Sequence, residues 1–151
     1  MNNTDEMKYF VFYLGDTSRL FPDYVITNSM KNGMQVVEDK IDELTVSKSS
    51  TFFTKILPDK IRYNLRLDDG TYEWEVHEVK KNNSYVIFHL RDDKGKHFFK
   101  VSSYDSKELA KKDFDKMVKS AIDYDNMEYS LLEEDKVILS GSNSYKDIRI
   151  I

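Results

Sequence analysis

The segment that decides the fold runs from Lys60 to Tyr104 and reads KIRYNLRLDDGTYEWEVHEVKKNNSYVIFHLRDDKGKHFFKVSSY. Apolar and polar residues alternate along four stretches of it, which is the pattern of β-strands with one buried face. Short polar turns separate the stretches at Asp69-Gly70, Lys81-Asn82-Asn83 and Lys94-Gly95. The segment is therefore predicted to form an antiparallel meander of four strands over about 60–104.

The first turn sets the register between the first two strands. Asp-Gly is a strong signal for a two-residue hairpin loop, because a type I′ turn needs positive φ and glycine adopts it freely. A loop at Asp69-Gly70 places Leu65 opposite Trp74. It also places Arg66 opposite Glu73. Apolar side chains then meet on one face and opposite charges on the other, as a correct register requires.

The other two turns extend the predicted sheet. A three-residue loop over 81–83, with an Asn in the left-handed region, places Glu75 opposite His89. A turn over 94–95 then places His89 opposite Lys100. Each loop length is the one that keeps apolar residues on one face.

The two faces of the predicted sheet differ in character. Trp74 lies at the centre of the apolar face, between Leu65 and Leu90, and should be largely buried. The apolar face comprises Tyr63, Leu65, Leu67, Tyr72, Trp74, Val76, Val86, Phe88, Leu90, Phe99 and Val101. The other face comprises Arg62, Asn64, Arg66, Glu73, Glu75, His77, His89, Arg91 and Lys100, with Ile87 and Phe98 among them.

Further strands flank the meander at both ends. Apolar or alternating runs predict strands over 7–14, 24–27, 52–57, 127–132, 136–140 and 145–151. The second and third strands from the C-terminus should form a hairpin around Glu134-Asp135. The chain is thus predicted to be α+β with antiparallel pairing, and the strands form either one sheet or two small sheets.

Two helices are predicted from apolar residues at helical spacing. The first covers about 33–45, and Asn32 and Gln35 have the spacing of a capping box. The second covers about 105–122, with Asp105 and Glu108 as a second capping box. The apolar stripe of this second helix is expected to lie on the Trp74 face of the sheet. The stripes are Met34, Val37, Ile41 and Leu44 in the first helix, and Ala110, Phe114, Met117, Val118 and Ala121 in the second.

Composition limits the class of protein. The chain has 151 residues, a length that suits one domain over 1–151, with residues 1–6 as a flexible tail. It has no cysteine, so disulfides and thiolate chemistry are excluded. Its formal net charge of −4 argues against nucleic acid as a partner. The acidic start is unlike a signal peptide, and the longest apolar run, over 9–14, is too short to cross a bilayer, so we expect a cytoplasmic protein without membrane contact.

One group of side chains has the residue types of a metal site. In the predicted register Glu75 faces His89, and His77 lies two residues from Glu75 on the same face. Two histidines and a carboxylate are a known ligand set for divalent metals. Lys100 and the neighbouring arginines would repel a cation, so ordinary polar pairing is the favoured interpretation, and no metal or other cofactor is predicted.

The favoured functional hypothesis is a small non-enzymatic protein-interaction module. Arg66, Ile87, Arg91 and Phe98 place apolar anchors inside a charged rim on the exposed face, which is typical of partner-binding patches. Size and charge suit an inhibitor of phage counter-defence or immunity-protein type. The alternative is a small-molecule- or metal-binding domain that uses a pocket or the cluster of His77, Glu75 and His89. The partner's identity and the oligomeric state stay open.

Overall fold

The computed structural model of the protein describes residues 6–14, 23–46, 51–67, 70–93, 96–121, 126–142 and 147–150. These residues form ten strands and two helices. The predicted tail lies outside the described residues except for Glu6. The elements are β1 (Met7–Tyr13), β2 (Asp23–Thr27), α1 (Met30–Thr45), β3 (Thr51–Ile56), β4 (Lys60–Leu67), β5 (Gly70–Lys80), β6 (Tyr85–Asp93), β7 (Lys96–Tyr104), α2 (Lys107–Ser120), β8 (Asn126–Glu133), β9 (Lys136–Ser142) and β10 (Asp147–Ile150).

Contacts divide the chain into two compact units, Met1–Lys81 and Asn82–Ile151. Each unit contains one five-stranded antiparallel sheet and one helix. The strand order is β2-β1-β5-β4-β3 in the first unit and β10-β9-β8-β6-β7 in the second. The predicted α+β class with antiparallel sheets is confirmed, and the strands form two sheets rather than one. The prediction of a single domain over 1–151 stays a prediction.

The second turn of the predicted meander does not join two paired strands. β5 pairs with β4 on one side and β1 on the other, whereas β6 pairs with β7 and β8. Trp74 therefore lies opposite Tyr63 and Tyr13, and its predicted pairing with Leu90 is wrong. A strand has two edges, and β1 occupies the edge of β5 that the meander assigned to β6.

The first hairpin forms, but its register differs from the predicted one by two residues. Arg66 lies opposite Thr71 rather than Glu73, and the other predicted pairs of this hairpin are displaced by the same two positions. A shift of two residues leaves each side chain on its own face, because the side-chain period of a strand is two. Trp74 is accordingly buried as predicted, with 5% of its surface exposed.

The predicted β6–β7 and β8–β9 hairpins are confirmed. His89 lies opposite Lys100 in the β6–β7 pair, as the third turn predicts. The β8–β9 hairpin turns at Glu134 and Asp135, whose φ angles are 51° and 67°. Two successive positive φ angles are the signature of a type I′ turn, whose twist matches that of the strands it joins.

α1 begins three residues earlier than its predicted capping box. Ser29 is the N-cap, and its hydroxyl accepts a hydrogen bond from the Asn32 amide at 3.0 Å. The predicted apolar stripe is confirmed, since Val37 and Ile41 are buried. They pack in one cluster with residues of β4 and β5, including Trp74.

α2 packs on the face of its sheet opposite to the one predicted. Its buried Phe114 contacts the cluster formed by Ile87, Tyr129 and Leu131. Ser106, rather than Asp105, caps its N-terminus. The prediction that this helix covers the Trp74 face is wrong, because α1 lies there and α2 covers the face that carries Ile87.

A tyrosine ties each helix to its own sheet. The Tyr63 hydroxyl donates to Glu38 of α1 at 3.5 Å, and the Tyr104 hydroxyl donates to Asp113 of α2 at 2.8 Å. Burial, followed by the neighbouring carboxylate, raises the pKa of both tyrosines to about 12. Both hydroxyls therefore stay protonated, as donors, at physiological pH.

Gly70 provides a test of the first hairpin. Its φ is +146°, and a Cβ added there would meet nothing within 4 Å. Gly70→Ala should therefore lower the free energy of unfolding by about 1–3 kcal/mol through backbone strain alone. Urea denaturation measures this change. Thr71→Ala, at the adjacent exposed position, should change it by less than about 1 kcal/mol. Equal stability of Gly70→Ala and the native chain would contradict the positive φ.

Candidate functional site

The four predicted partner-binding residues do not form one surface of a single sheet. Arg66 is exposed on β4 in the first unit, whereas Ile87, Arg91 and Phe98 belong to the second. Ile87 is 5% exposed because α2 covers it, so its prediction as an exposed anchor is wrong. Arg91 and Phe98 remain together as predicted, as direct cross-strand partners.

Arg91 and Phe98 are the centre of a cationic patch on β6 and β7, which we define as Arg91, Phe98, Lys100 and His89. The guanidinium carbon of Arg91 lies 5.0 Å from the centroid of the Phe98 ring, within the range of a cation–π contact. Phe98 is 42% exposed, and Lys100 is exposed as well. The patch thus exposes to solvent an aromatic ring that lies beneath a cation.

Burial and two neighbouring cations determine the protonation of His89 in this patch. Burial, then the charges of Arg91 and Lys100, lower the pKa of His89 to about 4. His89 is therefore neutral at physiological pH, and the positive charge comes from its two neighbours. A divalent cation would meet the same repulsion.

The cationic patch lies at an edge of its sheet. β7 is the last strand in the order β10-β9-β8-β6-β7, and its ladder partner is β6. Within the part of the chain that the structure describes, the outer side of β7 has no ladder partner in its sheet. An edge of this kind offers a template for another strand.

The predicted metal cluster does not form through the register that suggested it. Glu75 lies opposite Arg62 on β4 and Phe12 on β1, and His89 lies opposite Lys100 and Tyr129 in the other unit. The predicted pairing of Glu75 with His89 is wrong because β1, rather than β6, pairs with that edge of β5. Glu75 and His77 are neighbours on one face of β5, as predicted.

Glu75 is instead the centre of a buried ion-pair cluster. Its Oε1 accepts from His77 Nε2 at 2.7 Å and lies 3.2 Å from Lys60 Nζ, and its Oε2 accepts from Arg62 Nε at 3.1 Å. Glu75 and His77 are buried, so the prediction that their face of the sheet is exposed is wrong for them. Burial raises the pKa of Glu75, but the hydrogen bonds and charges of His77 and Lys60 outweigh it, and the net pKa is lowered. Glu75 is thus ionised and is held by three basic side chains of its own sheet.

The alternative hypothesis included a pocket without naming its lining, and the structure has a groove in the first unit. It lies between α1 and the strands β1, β2 and β5, has a volume of about 360 Å³, and includes Tyr13, Tyr72 and Trp74 in its lining. The sequence placed Tyr72 and Trp74 in the core face. The sequence signal for a groove was the density of aromatic residues. Strand alternation alone assigns such residues to core packing, so it did not distinguish a groove from a filled core.

No protein family, curated protein or solved structure matches this chain. Within the part of the chain that the structure describes, neither helix is long and apolar enough to cross a membrane. Among the same residues, no group of three or more His, Cys, Asp or Glu side chains is placed to hold a metal ion.

The shifted pKa of His89 predicts a specific pH dependence of stability. Between pH 6.5 and about 4, the unfolded chain takes up a proton that folded His89 excludes. Stability that is fully present above pH 6.5 is therefore lost as the pH falls through this window. His89→Gln should reduce the slope of unfolding free energy against pH there by up to about 1.4 kcal/mol per pH unit.

Urea denaturation of both proteins from pH 4 to 8 measures this slope. The two profiles should differ by a constant offset above pH 7 and converge or cross in the acid range. Parallel profiles over the whole range would show that His89 does not titrate with a lowered pKa.

Proposed function

We propose that this chain is a non-enzymatic protein-interaction module that binds an acidic, extended segment of a partner protein at the cationic patch. The observation that carries the proposal is the exposed Phe98 ring, held under the Arg91 guanidinium on an edge strand. This arrangement offers a recognition element for an apolar side chain, for a carboxylate and for a peptide backbone.

The backbone would be recognised by strand addition. An extended peptide that pairs with the outer edge of β7 satisfies its own hydrogen-bonding groups, and main-chain bonds of this kind contribute affinity without demanding a sequence. The side chains of alternate residues then provide specificity, because they fall on the same face as Phe98 and Lys100. This geometry favours an extended segment over a helix.

The charges select an acidic segment. Arg91 and Lys100 lie close enough to depress the pKa of His89, so they act together on any group near Phe98. A guanidinium can bind a carboxylate through two parallel hydrogen bonds while its plane remains stacked on an aromatic ring. Arginine is enriched among the residues that dominate binding energy, and phenylalanine is among the aromatic residues enriched in interface cores.

Such a role needs no catalytic residue. A small acidic protein that holds a partner in a stoichiometric complex acts by occupying a surface. An inhibitor of phage counter-defence or immunity-protein type would work in this way, and the proposal extends to that role. Arg66 is exposed in the first unit, outside the cationic patch, and its role as a contact residue stays a separate prediction.

The test uses a displayed library of random twelve-residue peptides with the full chain as bait. Peptides recovered by the native chain should be enriched in Asp and Glu around an apolar residue. Their affinity should fall at least about tenfold in the double variant Arg91→Ala/Phe98→Ser, since truncating a hot-spot residue costs about 2 kcal/mol or more. Titration calorimetry with the synthesised peptides measures the loss.

A matched control makes the same chemical change elsewhere. Lys112 and Leu109 are an exposed cation and an exposed apolar residue on α2, and Leu109 is 55% exposed. Lys112→Ala/Leu109→Ser should leave peptide affinity unchanged, and circular dichroism should show both double variants folded. Equal peptide affinity of the patch variant and the control variant would refute the proposal.

A further inference from the structure

The groove of the first unit has a floor of aromatic rings. The Trp74 ring lies 5.5 Å from the Tyr13 ring and 6.4 Å from the Tyr72 ring, centroid to centroid. These three side chains form a row across β1 and β5, because Tyr13 and Trp74 are cross-strand partners and Tyr72 lies two residues along β5. Tyr24 also lines the groove, but its ring packs against Phe10 and is not part of the row.

The walls of the groove are aliphatic, and they come from three different elements. The side chains of β1, β2 and α1 that line it are Val11, Val25, Val36 and Leu44. With a volume of about 360 Å³, the groove has the size and the apolar character of a small-molecule site.

Among the described residues, the charged side chains at the rim of the groove carry a net negative charge. The rim includes the carboxylates of Asp23 and Glu43 and the ammonium of Lys40, which gives two negative charges and one positive. Lys40 Nζ lies 3.3 Å from Glu43 Oε2, in an exposed ion pair within α1. An occupant with a positive charge would therefore complement this rim.

We infer that the groove binds a small alkylated ammonium ligand. A cation is attracted to the faces of aromatic rings, most strongly to Trp, and rings arranged around quaternary ammonium groups are a recurrent solution for their recognition. Alkyl groups on the nitrogen also fit the aliphatic walls and reduce the hydration that a primary amine would lose. This inference concerns a different unit from the cationic patch and does not depend on the proposed function.

Choline and its neutral isostere 3,3-dimethylbutan-1-ol separate charge from shape. The chain has one tryptophan, so its intrinsic tryptophan fluorescence reports on Trp74 and hence on the groove. At constant ionic strength, choline should change this fluorescence saturably, with an affinity about tenfold or more above that of the isostere, as expected for a partly desolvated cation–π site.

Two rim variants test the electrostatic part of the inference. Asp23 and Lys40 are both exposed, so their substitution is compatible with folding. Asp23→Asn should weaken choline binding about threefold to tenfold and leave binding of the isostere unchanged. The matched variant Lys40→Gln, which removes a positive charge from the same rim, should leave choline binding unchanged or strengthen it.

Two ring variants test the aromatic part. Tyr72→Leu removes a ring and should weaken choline binding, whereas Tyr72→Phe retains the ring and should preserve it. The inference is overturned if choline and the isostere bind equally, because the groove then recognises apolar bulk only. It is also overturned if the folded native chain gives no saturable response to choline up to about 100 mM, or if Tyr72→Leu binds choline as the native chain does.

Discussion

The pairing of β1 with β5 is the constraint on which the rest of the structure depends. It joins residues 7–13 to residues 74–80, and with β4 on the other side it fills both edges of β5. The chain that follows therefore builds a second sheet instead of extending the first. The same pairing brings Tyr13 against Trp74 in the groove and the Phe12 ring within 5.6 Å of His77 beside the Glu75 cluster.

Much of the fold could be predicted because local rules determine it. Strand alternation, helical stripes and two of the turns identified the elements and the β6–β7 register correctly. Two features could not be obtained in this way. A register shift of two residues preserves both faces, so the hydrophobic pattern cannot detect the true pairing of Arg66 with Thr71. The choice between β1 and β6 as a neighbour of β5 is a long-range competition between two apolar strands, and single-sequence patterns do not rank them.

The candidate sites follow the same division. Arg91 and Phe98 were placed together because their hairpin was predicted correctly, and they are the part of the predicted partner surface that the structure retains. Ile87 was misassigned because which helix covers which face depends on tertiary packing. The burial of Glu75 and His77 was missed for a related reason, since charged residues on an alternating strand predict a solvated face unless their ion-pair partners are known. The groove is lined by residues of three strands and one helix, so its position depends on the tertiary arrangement of these elements.

The most direct test is to determine which strand, β1 or β6, lies beside β5. Nuclear Overhauser spectroscopy of the isotopically labelled chain detects close Hα–Hα contacts between non-hydrogen-bonded partners in antiparallel strands. Such contacts should join β1 to β5, at Val11 and Val76 or at the adjacent pair Phe10 and His77. Contacts of this kind between β5 and β6, such as between Val76 and Phe88, would instead establish a continuous meander and contradict the two-sheet architecture.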